Sequence, residues 1–155
     1  MDDVSRLAVW ETPFTYAFYP SVTLIVHPFN LQSRKQVRAR VIVAPDWIDK
    51  YPKYLIDFGE SIVATHMDES CCPKKDFANV VLEMDVEEDK YIAAFQWLGS
   101  PWLKSYEPCF DPYGKEKYGH YLIFGGDSNV EVISCETPRI EKVDAPVLLS
   151  LNAEI

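Results

Sequence analysis

The sequence predicts an α+β fold, with a mainly antiparallel, curved sheet of about six to eight strands packed on one central helix at residues 85–99. Three observations support this fold class. One segment has helix start and stop signals, several others alternate apolar and polar side chains with the two-residue period of a strand, and Pro or Gly residues separate them. Apolar residues make up 48% of the 155 positions, so we expect a single domain over residues 1–155 with its own core.

The helix prediction rests on the two ends of the segment and on its body. Asp85 is a residue type typical of an N-cap, and Glu88 follows at the spacing of a capping box. Gly99 followed by Pro101 is a helix stop signal. The apolar positions between these ends are Tyr91, Ile92, Ala93, Ala94, Phe95, Trp97 and Leu98. Because they cover nearly the whole circumference, interrupted by Gln96, we expect other elements to bury this helix on most sides.

The strand predictions depend on alternation and on turn residues. In chain order, strands are expected at residues 14–19, 22–27, 35–43, 77–84, 120–124, 130–135 and 147–151. The segment 35–43 alternates most regularly, with apolar residues on one face and Gln36, Arg38 and Arg40 on the other. The glycine-rich stretch 125–129 predicts a hairpin turn, and residues 137–144 are expected to form a polar link.

Residues 46–67 are open to two interpretations. Large apolar side chains recur there at helical spacing, yet Pro52 and Gly59 would damage a continuous helix. We expect a short helical turn near residues 46–51, followed by a second element with a strand at residues 61–66.

Residues 100–119 combine five Pro or Gly residues with several aromatic and acidic side chains, which predicts a long irregular loop. The candidate partner-binding residues are Trp102, Tyr106, Glu107, Asp111, Tyr113 and Glu116. The alternative is a lid whose rings fold back onto the central helix. We expect Tyr106 and Tyr113 to be exposed, and Trp102 and Phe110 to be buried.

The charge of the chain restricts its partners. With 24 acidic and 15 basic residues, the formal net charge is −9. This balance argues against nucleic acid or an anionic membrane as the main partner and favours another protein with a basic surface. Arg34, Arg38 and Arg40 form a weak candidate anion-binding site, since guanidinium groups bind carboxylates and phosphates. The alternative is an exposed strand whose charge discourages aggregation.

The compartment is predicted from the first residues and from the cysteines. The sequence starts MDDVSRL, which is acidic where a secretory signal would be basic. The longest apolar run, residues 14–29, is interrupted by Pro20 and Pro28 and is too short for a membrane span. We therefore expect a cytoplasmic protein whose four cysteines are free thiols.

No stretch has the pattern of a catalytic, metal or cofactor site. His66, Asp68, Cys71 and Cys72 lie close together but lack the CxxC spacing of a zinc site, so a polar loop is favoured. The sequence contains neither a GxSxG nucleophile motif nor a phosphate-binding Walker loop. His27 and His120 lie near the ends of predicted strands, and both are expected to be packing groups rather than general bases.

These observations predict a non-enzymatic, acidic protein-binding module of the inhibitor or immunity-protein type, which masks a basic site on a partner protein. The aromatic rings would supply buried anchors, and the carboxylates would accelerate the encounter. The alternative is a small-molecule or enzymatic pocket between the curved sheet and the central helix.

Overall fold

A computed structural model of the protein describes residues 6–27, 37–68, 81–82, 91–105 and 118–146. Within these ranges the chain forms one sheet of nine strands and one short helix. The strands are β1 (Arg6–Val9), β2 (Ser21–His27), β3 (Val37–Ala44), β4 (Lys53–Asp68), β5 (Val81–Leu82), β6 (Ala94–Leu98), β7 (Gly119–Phe124), β8 (Ser128–Ser134) and β9 (Arg139–Val143), and the helix is α1 (Pro101–Ser105). Neighbouring strands are antiparallel except for the parallel pair β1 and β5.

The predicted α+β class and its central helix at residues 85–99 are wrong. Residues 94–98 form β6, between β1 and β7, and residues 91–93 have no regular secondary structure; residues 85–90 lie outside the described ranges. Ala94 is buried in the main core, whereas Trp97 is buried on the opposite face of the sheet. A strand that is covered on both faces is a continuous apolar run, and periodicity alone does not distinguish it from a buried helix.

Gly99 and Pro101 were predicted to end a helix, but they lie where the chain enters α1. Gly99 has a φ of 62°, a left-handed conformation that suits glycine and turns the chain out of β6. The Ser100 Oγ then accepts a hydrogen bond of 3.0 Å from the Leu103 N–H, as an N-cap does. Pro101 occupies the first helical position, where its missing N–H costs nothing.

Other strand predictions have mixed outcomes. Strands at 22–27 and 35–43 and the hairpin of β7 and β8 are confirmed where the structure describes them. The predicted strand at 14–19 is wrong, because side-chain and backbone hydrogen bonds close turns there. The predicted polar link at 137–144 contains β9, a strand that the sequence did not reveal. The predicted strand at 147–151 lies outside the described residues.

The interval 46–67 contains a turn followed by one long strand. The Lys50 N–H donates to the Trp47 carbonyl at 3.0 Å, consistent with the turn expected near residues 46–51. The following strand β4 has 16 residues and includes the strand expected at residues 61–66. It bends at Gly59, whose φ of 67° is left-handed, and the pairing register with β3 shifts there.

The bend in β4 divides the sheet into two halves. The first half of β4 lies between β3 and β9, and the second half pairs with β8 and leads on to β7, β6, β1 and β5. Two carboxylates hold the corner. The Asp57 Oδ1 accepts the Gly59 N–H at 2.9 Å, and the Glu136 Oε2 accepts the Glu60 N–H at 2.6 Å.

The main core lies between the facing surfaces of the two halves. Its buried members are Phe14, Val22, Ala39, Val41, Val43, Ile56, Phe58, Ala94, Tyr121, Ile123, Val130 and Val132. The Gly126 N–H donates to the Pro20 carbonyl at 3.0 Å, which joins the start of β2 to the β7–β8 turn. A smaller cluster on the other face of β8 includes Ile133, Tyr118 and Leu103 of α1.

Among the described residues, no helix has the length and apolar character needed to cross a membrane.

Candidate functional site

Two loops present most of the exposed large apolar side chains in the described part of the chain. Five of the eight such side chains lie at residues 11–20 or 45–51. They are Tyr16, Phe18, Tyr19, Trp47 and Ile48. Phe18 is 70% exposed and Trp47 is 62% exposed, so these rings are largely in contact with solvent. We call the surface formed by these five residues the two-loop surface. Clustered exposed apolar groups are typical of interaction sites.

The first loop is rigidly anchored to the sheet. The Thr15 Oγ1 accepts the Thr12 N–H at 2.7 Å and donates to the Trp10 carbonyl at 2.5 Å. The Thr15 carbonyl accepts the Ala93 N–H at 2.7 Å, and the Phe14 side chain is fully buried in the main core. Because these contacts hold the backbone at Thr15, the loop has less backbone entropy to lose when the rings that follow it bind a partner.

The aromatic rings beyond this anchor pack against each other. The ring centroids of Phe18 and Tyr19 are 4.2 Å apart, and those of Tyr19 and Tyr91 are 4.9 Å apart. The Tyr91 hydroxyl donates to the Phe124 carbonyl at 2.9 Å, which connects the cluster to β7. Tyr19 has a φ of 48°, a left-handed conformation that is strained for a bulky residue. Such strain is concentrated at functional sites in proteins.

A cleft of about 480 Å³ opens between the two loops. Its lining residues are Pro13, Tyr16, Ala17, Phe18, Pro45 and Asp46. This volume is within the range of roughly 300–1,000 Å³ found for ligand sites. The walls are aromatic and proline rings, and Asp46 adds a carboxylate.

The charged side chains of the two loop segments, residues 11–20 and 45–51, are mainly negative. Glu11, Asp46 and Asp49 are all exposed, and Lys50 is the one basic residue in these two segments. The Tyr16 hydroxyl donates to the Glu11 Oε1 at 3.1 Å, and this hydrogen bond to a carboxylate raises the pKa of Tyr16. The two-loop surface therefore combines aromatic rings with carboxylates, which favours a basic partner.

Of the partner-binding residues that the sequence predicted, the structure describes only Trp102. Trp102 in α1 is 44% exposed, so the expected burial of its ring is wrong. Tyr106, Glu107, Asp111, Tyr113 and Glu116, together with Phe110, lie outside the described residues. The role in binding of the six predicted residues stays a prediction, and so does the burial of Phe110. The two-loop surface was missed because residues 14–19 alternate like a strand, although Pro13, Pro20 and the two nearby threonines are turn residues.

The candidate anion-binding arginines converge on an acid of the neighbouring strand. The Asp57 Oδ2 lies 2.6 Å from the Arg38 Nη2, 3.9 Å from the Arg40 Nε and 3.3 Å from the Arg139 Nη2. Burial by itself would raise the pKa of Asp57, but the hydrogen bonds from Arg38 and the Gly59 N–H and the nearby positive charges lower it. Arg34 lies outside the described residues. Anion binding stays a prediction, and Arg38 and Arg40 already face a carboxylate.

A buried polar chain joins α1, β7 and β8. The Ser100 Oγ is 2.6 Å from the His120 Nδ1, and the His120 Nε2 is 2.6 Å from the Glu131 Oε1. The Ser100 hydroxyl and the Glu131 carboxylate thus contact the two ring nitrogens of His120. The Trp97 ring stacks on the imidazole with centroids 5.2 Å apart. No sequence pattern indicates these hydrogen bonds, because Ser100, His120 and Glu131 are far apart along the polypeptide.

Ser100, His120 and Glu131 are the residue types of a catalytic triad, but a substrate has no access to them. Ser100 and His120 are both 0% exposed. The Ser100 Oγ already accepts the Leu103 N–H, so it caps α1 rather than facing a substrate. Its hydrogen bonds hold the β6–α1 turn against β7 and β8, which is a structural role.

The residues considered for zinc are only partly described. The His66 Nε2 lies 2.6 Å from the Ser128 Oγ, while Cys71 and Cys72 lie outside the described ranges. Within those ranges, no three His, Cys, Asp or Glu side chains are grouped so as to hold a metal ion.

Comparison with protein-family models, with curated proteins and with solved structures finds no match for this chain.

Proposed function

We propose that the protein is a non-enzymatic binding module of the inhibitor or immunity-protein type, which covers a basic site on a partner protein. The observation that supports this role is the two-loop surface, where rings such as Phe18 and Trp47 are exposed beside carboxylates. Exposed aromatic rings held by a fixed loop are suited to act as anchors in a partner's pockets. The net charge of −9 accelerates the approach of a positively charged partner.

The encounter is proposed to take place in the cytoplasm. Cys135 is a free thiol, which suits a reducing compartment.

The enzymatic alternative has less support. It required a pocket closed by a central helix, and residues 91–99 form no helix. His120 and Glu131 do lie together, but the imidazole is enclosed and the cleft between the two loops contains neither residue. A binding surface is therefore the better interpretation.

Affinity capture from the native host with matched aromatic variants tests this function. The wild-type chain, a Phe18→Ala and Trp47→Ala double variant, and Trp102→Ala are each immobilised at low and at moderate salt. We expect the wild type and Trp102→Ala to retain one stoichiometric protein partner, and the double variant to lose it. All three remain folded, because the replaced rings are exposed, and the melts of the free proteins verify this.

Two results would contradict the proposed function as stated here. Recovery of no stoichiometric partner at either salt concentration excludes a stable binding module. Retention of the partner by the double variant, with its loss from Trp102→Ala, moves the interface to the surface around Trp102 of α1.

A further inference from the structure

We propose that the cleft between the two loops accepts an arginine side chain from the partner's basic site. This inference rests on the protein-binding role proposed above and specifies the chemistry that the cleft recognises. It follows from the lining of the cleft, from the carboxylates around it and from the properties of the guanidinium group.

The lining combines apolar walls with a carboxylate. Pro13, Pro45 and Ala17 offer surface against which an aliphatic stem packs. Tyr16 and Phe18 also line the cleft, and aromatic rings attract cations. Among the described residues that line the cleft, Asp46 is the one carboxylate. A cation on a long apolar stem matches this combination, whereas an anion would face repulsion from Asp46.

A second carboxylate lies next to the cleft. The Tyr16 hydroxyl donates to the Glu11 Oε1 at 3.1 Å, so Glu11 is held at the edge of a ring that lines the cleft. A cation bound in the cleft would therefore be attracted by the negative charges of both Glu11 and Asp46. Asp49, exposed in the turn that follows Asp46, adds to this potential.

Arginine fits this chemistry better than lysine. Its planar guanidinium group stacks on aromatic rings and donates two parallel hydrogen bonds to one carboxylate. It is also more weakly hydrated than an ammonium group, so burying it against apolar walls costs less. We therefore expect binding to rank arginine above lysine, and lysine above a neutral isostere.

Titration by two-dimensional ¹H–¹⁵N NMR tests the inference. The probes are three short peptides of Gly and Ser that carry one central arginine, lysine or citrulline, since citrulline keeps the shape of arginine without its charge. We expect saturable shifts for Tyr16, Ala17, Phe18 and Asp46 with arginine, weaker binding with lysine, and none with citrulline. Asp46→Asn should weaken arginine binding by about tenfold or more, because it removes a charged hydrogen-bond acceptor. Asp144→Asn, an exposed acid outside the two loop segments, should leave binding unchanged.

Equal binding of the citrulline peptide, shifts that map away from the cleft, or an Asp46→Asn variant that binds like the wild type would each overturn the inference. The NMR spectra of the variants also report whether they are folded. If no peptide binds while partner capture still depends on Phe18 and Trp47, the arginine site is wrong and the binding function stands. If no partner is captured but the arginine peptide binds at Asp46, the cleft is a cation site and the binding function as proposed is wrong.

Discussion

Asp57 is the residue on which the charges of three strands converge. Its carboxylate contacts Arg38 of β3 and Arg139 of β9 and accepts the Gly59 N–H of its own strand. The pKa of Asp57 is lowered in the folded protein. A lowered pKa stabilises the fold above the ordinary pKa of aspartate, and this contribution is lost as the pH falls through the folded-state pKa.

Replacement of Asp57 by asparagine should therefore lower the free energy of unfolding at neutral pH by about 1–3 kcal/mol. This loss of stability should become smaller as the pH falls from the ordinary pKa of aspartate to below the folded-state pKa of Asp57. At low pH the wild-type carboxylate is protonated and, like asparagine, carries no charge. Urea unfolding at several pH values measures both effects. Asp144→Asn is the control, since its exposed pair with Lys142 is expected to contribute less than about 1 kcal/mol. A pH-independent loss would show that charge is not the cause.

Gly59 is favoured by its backbone conformation, and a side chain there would also displace the Glu136 carboxylate. Its φ of 67° is left-handed, and a Cβ built there would lie 1.8 Å from the Glu136 Oε2. Gly59→Ala should destabilise the protein by more than about 1 kcal/mol, since the left-handed backbone alone costs that much. The same substitution should cost less in a Glu136→Ala background, because that change removes the clash but not the backbone strain. Denaturant unfolding of all four proteins completes a double-mutant cycle, and strict additivity would contradict the predicted clash.

At the scale of elements, the turn from β6 into α1 depends on Ser100. Its hydroxyl oxygen caps α1 through the Leu103 N–H and contacts the buried His120. Ser100→Ala should lower the free energy of unfolding by about 1–3 kcal/mol, through a lost cap and a lost buried hydrogen bond. A fluorophosphonate probe, which labels activated serines, should leave the wild-type Ser100 unmodified. Stoichiometric labelling of Ser100 would contradict a structural role.

The loop at residues 11–20 depends in the same way on Thr15. Thr15→Val keeps the shape of the side chain but removes the hydrogen bonds to Thr12 and Trp10. We expect a loss of about 1–3 kcal/mol in stability and weaker binding of the arginine peptide, because the lining rings are no longer held in place. Calorimetric unfolding and the NMR titration measure the two effects. Val26→Ala, an exposed apolar change on β2, is the control, and unaltered peptide binding by Thr15→Val would contradict the anchoring role.

At the scale of the whole molecule, Phe58 connects the two halves of the bent sheet. It is fully buried at the corner of β4, with ring centroids 5.9 Å from Trp10 and 5.5 Å from Tyr121. Because the halves share this core, we expect one cooperative unfolding transition, with coincident changes in tryptophan fluorescence and far-ultraviolet circular dichroism. Phe58→Ala should lower stability by about 3–5 kcal/mol and keep the transitions coincident. Two separate transitions in the wild type would contradict the single domain.

The sequence predicted elements well where local patterns were unambiguous. One face of β3 is exposed at Arg38 while Val41 and Val43 are fully buried, so alternation revealed the strand. The glycines at 125 and 126 revealed the β7–β8 hairpin. The candidate site was harder to find, because the cleft needs Phe18 and Pro45 from separate loops, and neither residue has a distinctive motif around it.

By itself, the sequence determined the acidic charge, the half-exposed strand and the turn chemistry, because each depends on residues that are near each other along the chain. Only the tertiary structure decided that residues 94–98 form a strand, since burial on both faces removes the alternation that identifies one. It also decided which distant groups meet, as in the contact of Ser100 with His120 and the convergence of arginines on Asp57. Such contacts are set by strand order and register, which depend on packing between elements rather than on the local preferences of the chain.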